Sequence, residues 1–411
     1  MDEPIVVGID IGTTKVCTLV ARVEGERGLR ILGVGIEPSQ GIRKGTIVDL
    51  GAATQSIARS VEKAQRTSGL EITSALVSLA GSHVSSVNSR GVVGVSGRMI
   101  DQDDVARALE AAQAVAIPHN REIIHVIQRG FVVDGQDGIR MPVGMHGFRL
   151  EMEAHIITAA ATTVENLRQS VQAAGVEATQ FVLNPLASAE VVLSETERQM
   201  GAVVCDIGGG TTDLAIYIDG DVWHTMVIAV GGNHVTSDIA HGLRLPMDQA
   251  EEIKKQYGYA LEREVAADDT FTMRPFGEEQ AEIVSRKDLA HIIEARVEEI
   301  FDLVLQEIKR SGYDGMLPAG MVLTGGMSNL PGIRTLASEV LGLPVRIAKP
   351  DNLVGLVDQL HSPAYSTSVG LLYWALMMSE TMPVAPRGRR PRGGGNVNWD
   401  IIKNFLKRML P

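Results

Sequence analysis

Short β-branched runs alternate along the chain with longer stretches of helical period, and two of the short runs end in nearly the same turn. Residues 4–9 (Pro-Ile-Val-Val-Gly-Ile) form one apolar run and Val16 to Val23 another. Between them lies the polar turn Asp10-Ile11-Gly12-Thr13-Thr14-Lys15. This predicts a strand–turn–strand hairpin with a buried first strand. Much later, Ala202-Val203-Val204-Cys205 leads into Asp206-Ile207-Gly208-Gly209-Gly210-Thr211-Thr212-Asp213 and then the apolar run Leu214 to Ile218. The self-similarity predicts a duplicated domain with one turn facing the other.

Around these turns the pattern predicts α/β layers with largely buried sheets. Helices are expected over Thr54 to Gln65, closed by Gly69, and over Thr163 to Ala174, with Gly175 as C-cap. Residues 247–258 and 287–310 read as exposed, charged helices. Ala75 to Leu79 reads as a strand, as does Met321-Val322-Leu323 before Thr324-Gly325-Gly326. Residues 84–155 break the rhythm. Short strands at Gly91 to Val95, Glu122 to Ile127, Gly130 to Val133 and Arg149 to Ala154 surround one helix, Asp103 to Val115, for which Asp101 is a suitable N-cap. That segment is expected to be an inserted α+β subdomain.

The end of the chain differs again. Residues 382–396 carry Pro383, Pro386 and Pro391, four arginines and three consecutive glycines, the composition of a flexible basic linker. Beyond it, Asn396 to Leu410 is helical by period. Trp399, Ile402, Phe405, Leu406, Met409 and Leu410 share one face, and Asp400, Lys403, Asn404, Lys407 and Arg408 the other. Such a helix can lie on an anionic lipid surface, its apolar face buried and its cations among the headgroups. A helix packed on the protein's own body or on a partner would show the same period. The glycine- and arginine-rich linker favours the membrane.

Charge sharpens this picture. Of 38 basic and 50 acidic side chains, residues 384–411 hold seven basic and one acidic, leaving 31 against 49 in the rest. An acidic body argues against nucleic acid as a partner. Two cysteines, Cys17 and Cys205, both in apolar stretches, suggest buried thiols in a cytosolic chain without a disulfide framework. The N-terminus lacks a basic leader, and the longest apolar run, Val369 to Met378, is about half of a membrane span. Neither export nor a transmembrane helix is expected.

The chemistry lies in the repeated turns. Glycines let backbone N–H groups approach an anion, and threonine hydroxyls add neutral donors. An Asp at the strand end can hold a hydrated Mg²⁺ that bridges to phosphate. Either turn alone fits a glycine-rich hairpin, whereas two of them facing each other fit a polyphosphate. No G-x-x-x-x-G-K-[ST] loop, G-x-S-x-G elbow or H-E-x-x-H helix is present, and Gly33-Val34-Gly35 lacks the third glycine of a dinucleotide fingerprint.

The duplicated Asp-Ile-Gly turns, with Leu323-Thr324-Gly325-Gly326-Met327-Ser328, resemble the phosphate and adenosine loops of the actin/Hsp70/sugar-kinase ATPase superfamily. Val227 to Ile239, Tyr365 to Leu372, the insert and the C-terminal helix are similar to the bacterial cell-division FtsA family. The resemblance covers essentially the whole chain. It implies a two-lobed actin/Hsp70-like α/β fold from duplicated domains. Residues 1–83, 156–195 and 363–381 would form subdomain 1A, 84–155 the inserted subdomain 1C, 196–233 and 314–362 subdomain 2A, and 234–313 subdomain 2B. The linker 382–396 and the membrane-targeting helix 397–411 follow.

By position, the resemblance makes Asp10 and Asp206 the Mg²⁺-side aspartates. Gly12, Thr13, Thr14, Lys15, Gly208, Gly209, Gly210, Thr211 and Thr212 would contact phosphate. Glu251 and Lys254 would meet the ribose; their i,i+3 spacing equally fits a surface ion pair. Gly325, Gly326 and Met327 would line the adenine, and Gly231-Gly232 would approach the sugar. The implied cofactors are ATP and Mg²⁺. One position departs from the pattern. Asn184, before Pro185, stands where Hsp70-like relatives carry an acid, and an amide cannot accept a proton as a carboxylate does. Slow ATPase activity at most is expected, with nucleotide acting mainly as an assembly ligand.

The implied function is an actin-like cell-division protein that polymerises on the cytoplasmic side of the inner membrane at the division site. It would anchor filaments of FtsZ by their C-terminal peptide and recruit later division proteins. Arg286, Lys287 and Arg296 could face such an acidic peptide, or form a solvated helix face. A small-molecule kinase of the same superfamily would leave the tail without a role. An Hsp70-like chaperone would need a peptide-binding domain that the remaining residues cannot supply. Another membrane-linked actin-like assembly protein would share the nucleotide site and differ in tail and insert.

Overall fold

The computed structural model describes residues 4–25, 28–115, 117–278 and 280–379. The linker and amphipathic helix expected at 382–411 lie outside the described residues.

Each repeated turn joins two strands of an antiparallel meander. In the first lobe Ile5–Ile11 pairs with Lys15–Glu24, which pairs with Gly28–Pro38; in the second Ala202–Ile207 pairs with Thr212–Ile218, which pairs with Asp221–Ile228. The first strand of each meander then takes a parallel neighbour, Ser74–Leu79 in one lobe and Met321–Thr324 in the other. A further parallel strand follows in each, Glu177–Leu183 and Val345–Ile347. The two sheets therefore run in the same order, and the small strand Val354–Gly355 extends only the first. Duplication is legible in topology as well as in the turns.

Cores form where the helices cover these sheets. The first helix, Leu50–Ser68, starts where the Asp49 carboxylate accepts from Ala52 N at 3.0 Å and stops at left-handed Gly69, whose N–H donates to the Gln65 carbonyl. Its buried face, including Ile57 and Val61, joins the lobe-one core. The helix Ala161–Ala173 ends on Ala174, with left-handed Gly175 one place beyond. The expected exposed helix at 287–310 spans Arg286–Ser311 and is exposed on one side only. Leu289, Ile293, Val297, Ile300, Phe301, Val304 and Ile308 are buried in the lobe-two core. The charge count concealed this apolar stripe. Cys17 and Cys205 are both fully buried; burial, ahead of the nearby Asp10, pushes the Cys17 thiol up to about 12, so it stays protonated and inert.

The inserted segment is a four-stranded sheet in the order Ser85–Gly94, Arg149–Ala160, Arg121–Val133, Gln136–Ile139. The separate strands expected at 122–127 and 130–133 are one strand with a bulge. Pairing slips between Glu153↔Gly130 and Ala154↔Gln128, leaving Arg129 as the extra residue. The bulge aims the Arg129 guanidinium onto the face of Trp223 in lobe two, 3.8 Å from the ring centre. The helix Gln102–Gln113 begins in a reciprocal capping box between Asp101 and Asp104.

Two helices join the lobes. Asn184–Val192 leads from the first sheet into the second, and Ser366–Ser379 returns to pack on it and on lobe one. They cross at Gly370, where a Cβ would stand 1.9 Å from the Ala187 carbonyl oxygen. Only glycine permits this approach. Among the described residues no helix is long and apolar enough to cross a membrane.

Candidate functional site

The crossing helices form the floor of a cleft of about 580 Å³ between the lobes. Asp10 and Asp206, each at the end of a buried strand, reach it from opposite lobes and are themselves buried. Gly12, Thr13, Thr14 and Lys15 line it from one side, and Gly208, Gly209, Gly210 and Thr211 from the other. The turns touch. A Cβ on Gly209 would lie 2.2 Å from Thr14 Oγ1, and one on Gly210 would lie 2.5 Å from Thr13 Oγ1. Only bare backbone lets them meet.

Gly232, Glu251, Lys254, Gly325, Gly326 and Met327 also line the cleft, so the fold brings the turns, the helix pair and the third loop together. Two expected residues do not line it. Thr212 is fully buried and donates its hydroxyl to the Val230 carbonyl at 2.8 Å. Gly231 packs under the second turn, where a Cβ would meet the Gly208 carbonyl oxygen at 2.7 Å. Both shape the loop from behind.

The Glu251–Lys254 pair is fixed in the wall. Lys254 Nζ lies 2.6 Å from Glu251 and donates to Thr236 Oγ1 and to the Gly232 carbonyl at 2.9 and 3.2 Å. Burial raises the Glu251 carboxyl, but Lys254 outweighs it and holds that carboxyl below its usual range. Burial draws the Lys254 ammonium down despite Glu251. Lys15 donates to the Ala364 carbonyl at 2.6 Å and sits 4.7 Å over the Tyr365 ring.

Ser78, Ser188, Thr367 and Ser368, which hold the cleft carboxylates, and Asp213 were not singled out in the sequence. Asp10 accepts from Ser78 Oγ at 3.1 Å and Ser368 Oγ at 2.6 Å. Asp206 accepts from Ser188 Oγ at 2.6 Å and Thr367 Oγ1 at 2.9 Å. Burial raises the Asp206 carboxyl, the Ser188 and Thr367 bonds draw it part of the way back, and Asp10 adds to the rise. Asp213, the last residue of the second turn, is raised well above the carboxylate range by burial and then by Asp206. One of its oxygens has no hydrogen-bond partner. The duplication could have flagged Asp213, since it pairs across the hairpin with Asp206 as Cys17 does with Asp10. Asn184 lines the cleft with a buried, unpartnered Oδ1.

The basic trio lies elsewhere, in ion pairs of its own lobe. Arg286 pairs with Asp269 at 2.8 Å, Arg296 with Asp238 at 2.5 Å and with Glu299, and Lys287 stands 3.7 Å from Glu262. Nine residues separate Lys287 from Arg296, which puts them on opposite sides of the helix. They do not form one patch.

Comparison with known proteins bears on this cleft. Residues 203–370 match the family model "Cell division protein FtsA", and 81–158 match the SHS2 domain inserted in that protein. Residues 120–269 match the diol dehydratase reactivase ATPase-like domain. The cell division protein FtsA of Pseudomonas aeruginosa is 42% identical over 93% of this chain and 92% of its own length. That of Bacillus subtilis is 40% identical over 90% of this chain and 83% of its own. Among solved structures, a PilM–PilN type IV pilus biogenesis complex aligns with a TM-score of 0.63 at 15% identity, covering 90% of this chain and 98% of that one. MreB5 of Spiroplasma citri bound to ADP aligns at 0.57 and 16%, covering 92% and 99%. These likenesses establish the actin-like two-lobed fold.

Proposed function

The chain belongs to the FtsA family of cell division proteins, and on that premise we propose that it binds ATP with Mg²⁺ in the cleft and assembles with copies of itself. Through residues 397–411 it would lie on the inner face of the cytoplasmic membrane at the division site. There it would hold filaments of FtsZ by their C-terminal peptide and recruit later division proteins. The observation that carries this reading is the meeting of two Asp-Ile-Gly turns, from identically ordered sheets, over one cleft with both carboxylates at its floor.

The residues present fit Mg²⁺–ATP. The turns leave backbone N–H groups and the hydroxyls of Thr13 and Thr14 for phosphate oxygens, with Lys15 as the cation, while Thr211 gives its proton to Asp213 at 3.0 Å. Asp10 and Asp206 would hold Mg²⁺ through water, Glu251 and Lys254 the ribose, and Gly325 to Met327 the base. When bound, ATP supplies the phosphoanhydride whose cleavage changes the charge between the turns. The chain's own groups suit slow cleavage. Asn184 offers an amide where a proton acceptor is needed.

Self-assembly has support from the fold, which the MamK double helical filament shares with a TM-score of 0.51. The insert at 84–155 is the proposed surface for protomer and division-partner contacts, and the lobe of residues 234–313 the proposed dock for the FtsZ peptide. With their cations paired internally, Arg286 and Arg296 would receive an acidic peptide only by exchanging Asp269 and Asp238 for it.

Sedimentation with anionic liposomes tests the reading, using the full chain and a chain ending at Glu380, with and without ATP–Mg²⁺. Pelleting should need the tail and become steeper in protein concentration with ATP. A full chain that stays in the supernatant would refute the anchor and send the search to phosphoryl acceptors of a kinase.

A further inference from the structure

Three hydroxyls meet the two floor carboxylates where the lobe-joining helices cross. Ser188 lies on the helix Asn184–Val192, one residue from the contact between Ala187 and Gly370. Thr367 and Ser368 lie in the first turn of Ser366–Ser379, just before Gly370. Ser188 Oγ and Thr367 Oγ1 stand 2.6 and 2.9 Å from the same Asp206 oxygen and 2.9 Å from each other, and Ser368 Oγ stands 2.6 Å from Asp10 Oδ2. All three are buried. A hydroxyl has one proton to give, so Ser188 and Thr367 cannot serve both Asp206 and each other at once. Their contacts crowd one oxygen of Asp206. The other lies on the Gly325 side, 2.4 Å from where a Cβ on that glycine would be.

We propose that Ser188, Thr367 and Ser368 are positioning residues for Mg²⁺: they set the orientation of Asp206 and Asp10 from the helix crossing, so the angle between the lobes controls metal affinity. The inference rests on reading the cleft as a Mg²⁺–nucleotide site. Its physical basis is that groups holding a metal-side carboxylate fix its direction; lost from a directly bound ligand they weaken metal binding by roughly ten- to a hundred-fold, and by less where, as here, a water would stand between carboxylate and metal. Adjacent residues of one helix hold carboxylates from opposite lobes. A change in lobe angle that moves this helix must therefore move one carboxylate relative to the other. Closure of the lobes and capture of the metal become one event.

The test is a Mg²⁺ titration of the full chain at fixed fluorescent ATP analogue, with a parallel nucleotide titration in EDTA. Thr367→Val and Ser368→Ala should each raise the Mg²⁺ midpoint by roughly three- to ten-fold and leave the EDTA affinity unchanged. Thr367→Ser, which keeps the hydroxyl, should restore the wild-type midpoint. A purely structural role would lower melting temperature and both affinities together, with no rescue by Ser, and would overturn the inference. Should Thr367→Val fail to fold, Ser368→Ala against Ser368→Thr carries the same comparison. Wild type with Mg²⁺-dependent binding and variants with an unchanged midpoint would overturn this inference alone. Wild type without Mg²⁺-dependent binding would overturn the reading of the cleft, and this with it.

Discussion

Replacing Gly370 by Ala tests whether the two lobe-joining helices cross in the contact seen here. In an open helix this change stabilises by about 0.5–1 kcal/mol, because alanine loses less backbone freedom on folding. At Gly370 the new Cβ would stand 1.9 Å from the Ala187 carbonyl oxygen, 2.4 Å from its carbon and 3.1 Å from Ser188 N. All three are backbone atoms of a helix, so no side-chain rotation can relieve the contact. The helices must part by more than an ångström through a packed floor, and overpacking of this kind costs about 3 kcal/mol. After the propensity gain, a net loss of about 2 kcal/mol remains. Differential scanning fluorimetry should then show a fall of about 2–4 °C in Tm for a chain of this size. Gly315→Ala, where a Cβ meets nothing within 4 Å, serves as the control and should leave Tm nearly unchanged. The same parting would carry Ser188 away from Asp206, so Mg²⁺–nucleotide should protect Gly370→Ala from heat less than it protects wild type. A Tm equal to or above the wild-type value would show that the helices do not touch here and would refute the reasoning.

Other consequences follow from single contacts. Lys254→Met leaves Glu251 partly buried without its closest cation, and should cost about 2–3 kcal/mol in chemical denaturation; Glu251→Leu added to it should recover most of that loss. Gly209→Ala places a Cβ against Thr14 Oγ1 and should abolish retention of labelled ATP in a filter assay while leaving the melting curve close to wild type. Hydrogen bonds and charge from Arg346 hold the Glu197 carboxyl down at about 2 against an ordinary 4.5. Its contribution is therefore full above about pH 4.5 and lost as pH falls toward 2. Solvent screening limits the neutral-pH penalty of Glu197→Gln to about 1–2 kcal/mol, and that penalty should shrink in urea melts run at pH 5, 4 and 3.

What could be read from the chain was whatever depends on neighbours in sequence. Two turns that share Asp-Ile-Gly and each carry a Thr-Thr pair announced the duplication, because close backbone approach to an anion restricts such turns to few residue types. The first helix was legible, since Gly69 closes it locally. The bulge at Arg129 was not: Gly130 looks like a break, and only pairing with Glu153 and Ala154 shows one continuous strand. The hydroxyls on Asp10 and Asp206 were hidden for the same reason. Ser368 lies 358 residues from its partner, and nothing around it predicts an acid nearby. Arg286 and Arg296 looked available because Asp269 and Asp238 meet them only through the fold.

The central claim is that both turns act together on Mg²⁺–nucleotide. Isothermal titration of the full chain with ATP in excess Mg²⁺, beside Asp10→Asn and Asp206→Asn, tests it most directly. Saturable binding of one ATP per chain, weakened alike by either substitution and by EDTA, is the predicted result. No binding, or binding indifferent to both aspartates, would contradict it.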